Sequence, residues 1–250
     1  MPQGSDIERQ VREYWDMDAA TYDASPGHNP RTRLEKAVWA ASLRRFLPPP
    51  PARVLDVGAG TGFLSLLLAG EGYRVTALDL APGMLAQLRA KAVGAGLDIE
   101  VIQGNAADPP RGEFDAVLER HVVWTLPDPK GALEAWREVA PAGTLLLLES
   151  IWGAAAGPEE QLRTAARALL RRLRQAPSDH HKEYDSELVS ELPFGHGAGP
   201  EALVGLVEST RWGHARVERL RDVDWASRQA LPSLVDRLIG VAPRFAVTAG

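Results

Sequence analysis

The stretch VLDVGAGTGFLSLLLAGEGYRVTALDL, Val54 to Leu80, constrains the fold more than any other part of this 250-residue chain. An apolar run, Arg53–Val57, meets the glycine-rich turn Gly58-Ala59-Gly60-Thr61-Gly62. A helix over about Gly62–Ala69 is expected next, followed by a second apolar run, Tyr73–Asp79, that ends in an acid. Glycines without a Cβ let the backbone pass close to a ligand. Strand, glycine turn, helix and strand form the repeating unit of a parallel sheet, and ligands sit in the crevice outside the carboxyl ends of such strands.

The alternation continues downstream. The pattern predicts a helix over Pro82–Val93, strands over Leu97–Gln103 and Phe114–Leu118, a helix over Lys130–Val139 and a fully apolar strand over Thr144–Leu148. Short, near-continuous apolar strands between helices indicate a sheet buried on both faces. Beyond Ser150 the expectation is a helix over Glu159–Gln175, carrying one stripe of leucines and another of Arg163, Arg167, Arg171 and Arg174. A polar stretch, Pro177–Gly199, leads to a helix over Glu201–Glu208, a strand over Ala215–Asp224, a helix over Leu231–Ile239 and a last strand over Arg244–Thr248. Upstream, Ser5 and Glu8 fit a capping box, Ile7 to Tyr22 follow at helical spacing, and Asn29-Pro30 suits the start of a second helix that the prolines 48–51 end. The expected fold is α/β: a Rossmann-like, doubly wound, mostly parallel seven-stranded sheet in a single domain. Residues 1–47 are read as an N-terminal helical lid, 52–150 as the cofactor-binding core, 151–198 as a substrate-side helical insertion after strand 5, and 199–250 as the closing elements.

Composition narrows the function. The net charge of −5 disfavours a nucleic-acid partner, because phosphate backbones select basic surfaces. The absence of cysteine excludes disulfides, thiolate-ligated metals and thiol nucleophiles. No signal-type segment opens the sequence, and no apolar run approaches the ~20 residues that span a bilayer. A cytoplasmic protein with a small-molecule partner and no membrane association is expected. The oligomeric state leaves no mark in the sequence.

The glycine turn separates cofactor classes. A dinucleotide fingerprint reads G-x-G-x-x-G, but here the sixth position is Phe63, and no Gly-Lys-Ser/Thr follows to make a phosphate loop. Asp56, two residues before Gly58, would repel a pyrophosphate and attract an ammonium or sulfonium. Opposite unit charges at ~4 Å attract by roughly 4 kcal/mol at an effective dielectric near 20, before desolvation. The sign favours S-adenosylmethionine over NAD, whether Asp56 meets the cofactor or holds the loop amides. Asp79 stands at the end of strand 2, where an acid accepts both ribose hydroxyls. Asn105 and Ala106, after strand 3, lie where an adenine edge would be read.

Taken in order, VLDVGAGTG, LDLAPGML, GNAADPP, ERHVVWTLPDP and APAGTLLLLE resemble the class I S-adenosylmethionine-dependent methyltransferases of the small-molecule type, over about Trp15 to Ser150 and the closing strands. The resemblance implies methyl transfer to oxygen, nitrogen or carbon of a small acceptor, in the manner of specialised metabolism. It implies that the loop Gly58–Gly62, with Gly58, Ala59 and Gly60, packs on the methionyl part, with Asp79 on the ribose, Leu80 and Met84 flanking the adenine, and Asn105 and Ala106 at its edge. It also implies that Glu119 to His121 meet the methionyl group and the acceptor, and that Tyr14, Trp15 and Tyr22 belong to a lid near the cofactor. Asn105 departs from the aspartate of many relatives. A non-catalytic cofactor-binding relative and an NAD-dependent oxidoreductase are the alternatives.

Methyl transfer is an in-line displacement, and a base is needed only if the acceptor arrives protonated. His121, after strand 4, is the candidate base, and His28, in SPGHNP, a second candidate facing the pocket. No metal is expected, since His180 and His181 with Asp179 and Asp185 read more simply as a polar loop. Tyr184 and His196 are candidate substrate contacts; two of Trp15, Trp124 and Trp152 suit either an aromatic wall for a planar acceptor or core packing, and Trp39, Trp136 and Trp212 are read as core or helix-packing residues.

Overall fold

The structure, a computed structural model, describes residues 3–24, 27–173 and 186–250. Helices α1 (Gln3–Asp18) and α2 (Arg33–Phe46) precede β1 (Arg53–Val57), α3 (Phe63–Gly70), β2 (Arg74–Asp79), α4 (Pro82–Ala95), β3 (Glu100–Gln103) and β4 (Ala116–Arg120). Then come α5 (Pro129–Val139), β5 (Thr144–Ser150), α6 (Pro158–Leu173), α7 (Ser186–Glu191) and α8 (Pro200–Glu208). The chain closes with β6 (Ala215–Arg219), α9 (Arg221–Gln229), α10 (Leu234–Ile239) and β7 (Arg244–Ala249). The strands form one seven-stranded sheet in the order β3-β2-β1-β4-β5-β7-β6. The first five are parallel, and β7 runs antiparallel to both β5 and β6. Strand order reverses between β1 and β4, which opens a crevice above their carboxyl ends.

The pleat sends alternate residues to opposite faces, and both faces are covered. Leu145 and Leu147 of β5 join Trp136, Leu203 and Trp212 on the side of α5 and α8. Leu146 and Leu148 join Trp39, Phe63 and Leu68 on the side of α2 and α3. Burying a leucine fully contributes about 1.5–3 kcal/mol, so this alternation fixes the register of β5. Trp39, Trp136 and Trp212 are buried, in keeping with the expected core or helix-packing role. The indole Nε1 of Trp136 donates to the Ala106 carbonyl at 2.6 Å, and that of Trp212 to the Leu133 carbonyl at 2.7 Å.

Several expected boundaries move. Helix α1 already includes Ser5, so the capping box at Ser5–Glu8 does not form the helix start. Helix α2 begins after Thr32, not at Asn29-Pro30: Thr32 Oγ1 accepts from the Glu35 amide at 3.1 Å, and Glu35 Oε2 accepts from the Thr32 amide at 3.2 Å. This reciprocal pairing satisfies two orphan donors, which a proline at the first position cannot match. Strand β3 starts at Glu100, β4 runs two residues later than expected, and α10 starts at Leu234. Strand β6 stops at Arg219, and Asp222 and Asp224 enter the first turn of α9 instead of extending the strand. Both acids favour a helix N-terminus, and both are held by cations, Asp222 by Arg45 at 2.6 Å and Asp224 by Arg244 at 3.2 Å.

In the insertion, Arg163 and Arg167 do more than face solvent. They donate to the carbonyls of Ile239 and Gly240, tying α6 to the end of α10. Leu162, Leu169 and Leu173 of the leucine stripe are exposed. Arg174, Asp179, His180, His181, Tyr184 and Asp185 lie outside the described residues. Among the described residues, no helix is long and apolar enough to cross a membrane.

Candidate active site

The crevice at the switch point holds a shallow cleft. Its floor is the turn Gly58–Thr61 with the start of α3, and its walls are Tyr22, Asp56 and Arg120. Two glycines show why the turn has its composition. A Cβ on Gly58 would lie 2.1 Å from Val122 Cγ2, so the turn and the segment after β4 approach as only glycine allows. Gly60 has a φ of +55°, and a Cβ there would meet only the Gly58 carbonyl oxygen, at 4.0 Å. The space above Gly60 is therefore open cleft.

Asp79 braces this turn. Its Oδ2 accepts from the Gly60 amide at 2.7 Å and its Oδ1 from the Ala81 amide at 2.8 Å. Burial raises its pKa, and these amides oppose the shift. Each oxygen keeps a lone pair for a further donor. Asp56 is buried, and its Oδ2 accepts from Ser65 Oγ at 2.5 Å, so it holds the α3 hydroxyl and not the loop amides. Burial pushes its pKa up to about 7, against the pull of Ser65 and Arg120.

The N-terminal segment packs beside the cleft, with Tyr22 in its wall. Trp15 packs with Tyr22, Ala81 and Met84, and Asp16 Oδ1 accepts from the Gly83 amide at 2.5 Å. Tyr14 sits edge-on to Trp15, with ring centroids 5.0 Å apart, and burial pushes its pKa up to about 12. Asp23 ties the N-terminal segment to the glycine turn. Thr61 Oγ1 donates to its Oδ1 at 2.6 Å, Lys91 pairs with its Oδ2, and Lys91 Nζ also donates to the Thr61 carbonyl at 2.9 Å. Trp15, Trp124 and Trp152 run edge-to-face beyond the lid, with centroids 6.5 and 5.5 Å apart.

The expected residues divide accordingly. Tyr22, Asp56, Gly58, Ala59 and Gly60 line the cleft. Asp79 braces its floor, while Met84 belongs to the seam between the lid and α4. Leu80 is half-buried, and its carbonyl accepts from Gln103 Nε2 at 3.4 Å. Asn105 Oδ1 accepts from the Ala107 amide at 2.9 Å, so one of its lone pairs already holds its own turn. Glu119 does not line the cleft. It is buried, its Oε2 accepts from the Val122 amide at 2.7 Å, and burial with neighbouring Glu149 raises its pKa well above the usual carboxyl range. His28 does not line it either: its ring stacks on Tyr22 at 4.1 Å, with Nδ1 2.9 Å from the Tyr22 carbonyl. His196 is exposed.

His121 lies beside Leu148, Glu149 and Arg244, and Arg120 separates this group from the cleft. Its Nδ1 lies 2.8 Å from Glu149 Oε2 and its Nε2 3.4 Å from Ser150 Oγ. Burial, then the charges of Arg120 and Arg244, lowers its pKa well below the ordinary histidine value. Burial pushes Glu149 up to about 8. Asp23 and Lys91 are site residues that the sequence did not single out. Placing the end of β4 at Leu118 left Arg120 off the sheet. Carried two residues further, the alternation puts Arg120 on the same face as Leu118 and Asp56.

A doubly wound sheet with a crevice at its switch point, beside an acid-braced glycine turn, is the arrangement in which open α/β sheets bind ligands. Residues 55–148 match the family model described as "Methyltransferase domain". The chain is 35% identical over 141 residues to a ubiquinone biosynthesis O-methyltransferase of Xanthomonas campestris, covering 54% of each chain. It is 41% identical over 108 residues to a demethylmenaquinone methyltransferase of Thermus thermophilus, covering 41% of this chain and 49% of that one. The chain thus spans about half the length of the curated relatives it matches. Its fold resembles magnesium protoporphyrin IX methyltransferase from Synechocystis, solved with bound SAH, with a TM-score of 0.59, 14% identity and coverage of 98% and 100% of the two chains. Residues 55–148 are thus similar to a methyltransferase domain, and the chain shares its overall fold with solved methyltransferases.

Proposed function

We propose that this chain transfers a methyl group from S-adenosylmethionine to a small-molecule acceptor. The observation that carries the reading is the cleft itself: a glycine turn open above Gly60, flanked by a buried acid, Asp56, and an arginine, Arg120. These residues suit a ligand with an ammonium, a carboxylate and an adenosine. A pyrophosphate would meet Asp56 across the turn and Phe63 where a dinucleotide site needs a small residue. Asp79, Asn105 and Ala106 would hold the adenosine, and the glycine turn the methionyl part. When bound, the cofactor supplies an electrophilic methyl group.

The chain's own contribution is orientation, exclusion of water under the lid, and a proton acceptor. His121 Nε2 takes the acceptor's proton where there is one, and Glu149 fixes the ring through Nδ1. The row of Trp15, Trp124 and Trp152 supports a planar, ring-bearing acceptor, in keeping with relatives named for quinone biosynthesis. The site of methylation is oxygen, nitrogen or carbon. Titration calorimetry with S-adenosylmethionine and, separately, NADH tests the reading: saturable heat with the first alone is expected. Heat with NADH alone, or with neither, would refute it.

A further inference from the structure

A helix of a globular domain normally buries its apolar stripe and shows its charges to water. Helix α6 does the reverse. Arg163 and Arg167 are half-buried and donate to the carbonyls of Ile239 and Gly240, at the end of α10. Leu162, Leu169 and Leu173 are 72%, 57% and 71% exposed. At 3.6 residues per turn these leucines fall within about 40° of one another, with Ala166 beside them. They form one stripe along the helix. Helix α10, fastened to α6 by the two arginines, adds Leu234 and Leu238, 76% and 78% exposed. Clustered apolar exposure of this kind marks a contact surface.

The charge around the stripe selects what it meets. Residues 161–175 contain five arginines and no acid, in a chain of net charge −5. The acids of α6, Glu159 and Glu160, lie in its first turn and pair with Arg163 and Arg167. The excess of positive charge is thus gathered in the second half of the helix and the residues that follow it in sequence. Arg172, exposed, lies about 80° to one side of the leucine stripe and Arg163 about 100° to the other. A second copy of the chain on this face would gather two such sets of like charge around one seam, which is unfavourable. An anionic bilayer suits both features at once: leucines enter the acyl boundary while flanking arginines stay among the phosphates. We propose that α6, with α10, is a peripheral membrane-binding surface that seats the protein on an anionic leaflet. A helix lying in the interface plane needs neither an apolar run of spanning length nor a basic chain overall.

Co-sedimentation of the full chain with lipid vesicles, without cofactor, tests this. Vesicles of phosphatidylglycerol and phosphatidylcholine in equal parts should bind the chain at least about tenfold more tightly than phosphatidylcholine alone, and added salt should weaken that binding by screening the arginines. Leu162→Ser, Leu169→Ser and Leu173→Ser combined should weaken it at least about tenfold by removing the inserted stripe. Arg172→Glu, which keeps the stripe, should weaken it about tenfold through charge alone. The substituted side chains are exposed, and an unchanged urea midpoint reports that each variant is folded. No binding to the anionic vesicles, equal binding to both kinds of vesicle, or equal binding by the serine variant would overturn the proposal. Sedimentation equilibrium distinguishes the rival occupant: a dimer that the serine substitutions dissolve, with no vesicle binding by the unmodified chain, would assign the leucines to a self-interface instead.

Discussion

His121 Nδ1 lies 2.8 Å from Glu149 Oε2, across the carboxyl ends of the adjacent parallel strands β4 and β5. His121 reaches this position with a φ of 62°, the one non-glycine residue in the left-handed region among those described. Such a conformation costs on the order of 1–3 kcal/mol and persists where the surroundings enforce it. Below the raised pKa of Glu149, about 8, its carboxyl O–H donates to Nδ1 and leaves the ring proton on Nε2. Above it the carboxylate accepts from Nδ1–H, and Nε2 becomes the proton acceptor.

Nitrogen-15 spectra of the His121 ring should therefore show the proton moving from Nε2 to Nδ1 as pH rises through about 8. Glu149→Gln, whose amide can donate to Nδ1 at any pH, should abolish the change and cut transfer to a protonated acceptor about 100-fold. A ring that keeps one tautomer from pH 6 to 9 in the unmodified protein would exclude the pairing.

Asp56 gives cofactor affinity a pH dependence. In the free protein burial holds its pKa at about 7, so below that pH it carries a proton. A ligand ammonium favours the carboxylate, so binding releases that proton and tightens as pH rises. Affinity for S-adenosylhomocysteine should gain about tenfold from pH 6 to pH 8 by linkage. Asp56→Asn, which keeps an acceptor for Ser65, should bind more weakly with a flat profile. An equal pH response in both proteins would show that another group is responsible.

The glycine turn predicts a contrast between two alanine substitutions. Gly58→Ala places a Cβ 2.1 Å from Val122 Cγ2 and should cost about 3 kcal/mol of stability, the upper end for overpacking. Gly60→Ala meets open space and should cost about 1 kcal/mol, from backbone strain alone, while obstructing the cleft. Urea midpoints read the first effect, and S-adenosylhomocysteine titration the second. Equal stability losses would contradict the geometry.

Asp23 joins the lid to the turn through Thr61 and Lys91. Asp23→Ala should speed release of S-adenosylhomocysteine about tenfold, with little change in the urea midpoint, because a partly exposed ion pair contributes little to stability. Stopped-flow displacement measures the release rate. An unchanged rate would mean that this tie does not restrain the ligand.

Much of this was legible from residue order. The apolar strands, Gly58–Gly62 and Asp79 follow from local backbone demands and a period of two, which a sequence displays directly. Strand ends and long-range partners are less visible. Arg120 falls on the sheet only because β4 runs two residues past the apolar run that marks it. Asp222 and Asp224 ended a strand-like pattern in the sequence, but their partners Arg45 and Arg244 lie far along the chain and turn them into the start of α9. His28 looked like a pocket residue for want of any signal that Tyr22, six residues earlier, stacks on it. Asp23, Thr61 and Lys91 come from three separate elements, and no local pattern joins them.

Crystals grown with S-adenosylhomocysteine, and in parallel with NADH, test the central claim most directly. The account predicts density for the first ligand, its ribose at Asp79 and its amino-acid end between Asp56 and Arg120. Density for NADH alone, with its pyrophosphate over the turn beside Phe63, would contradict it.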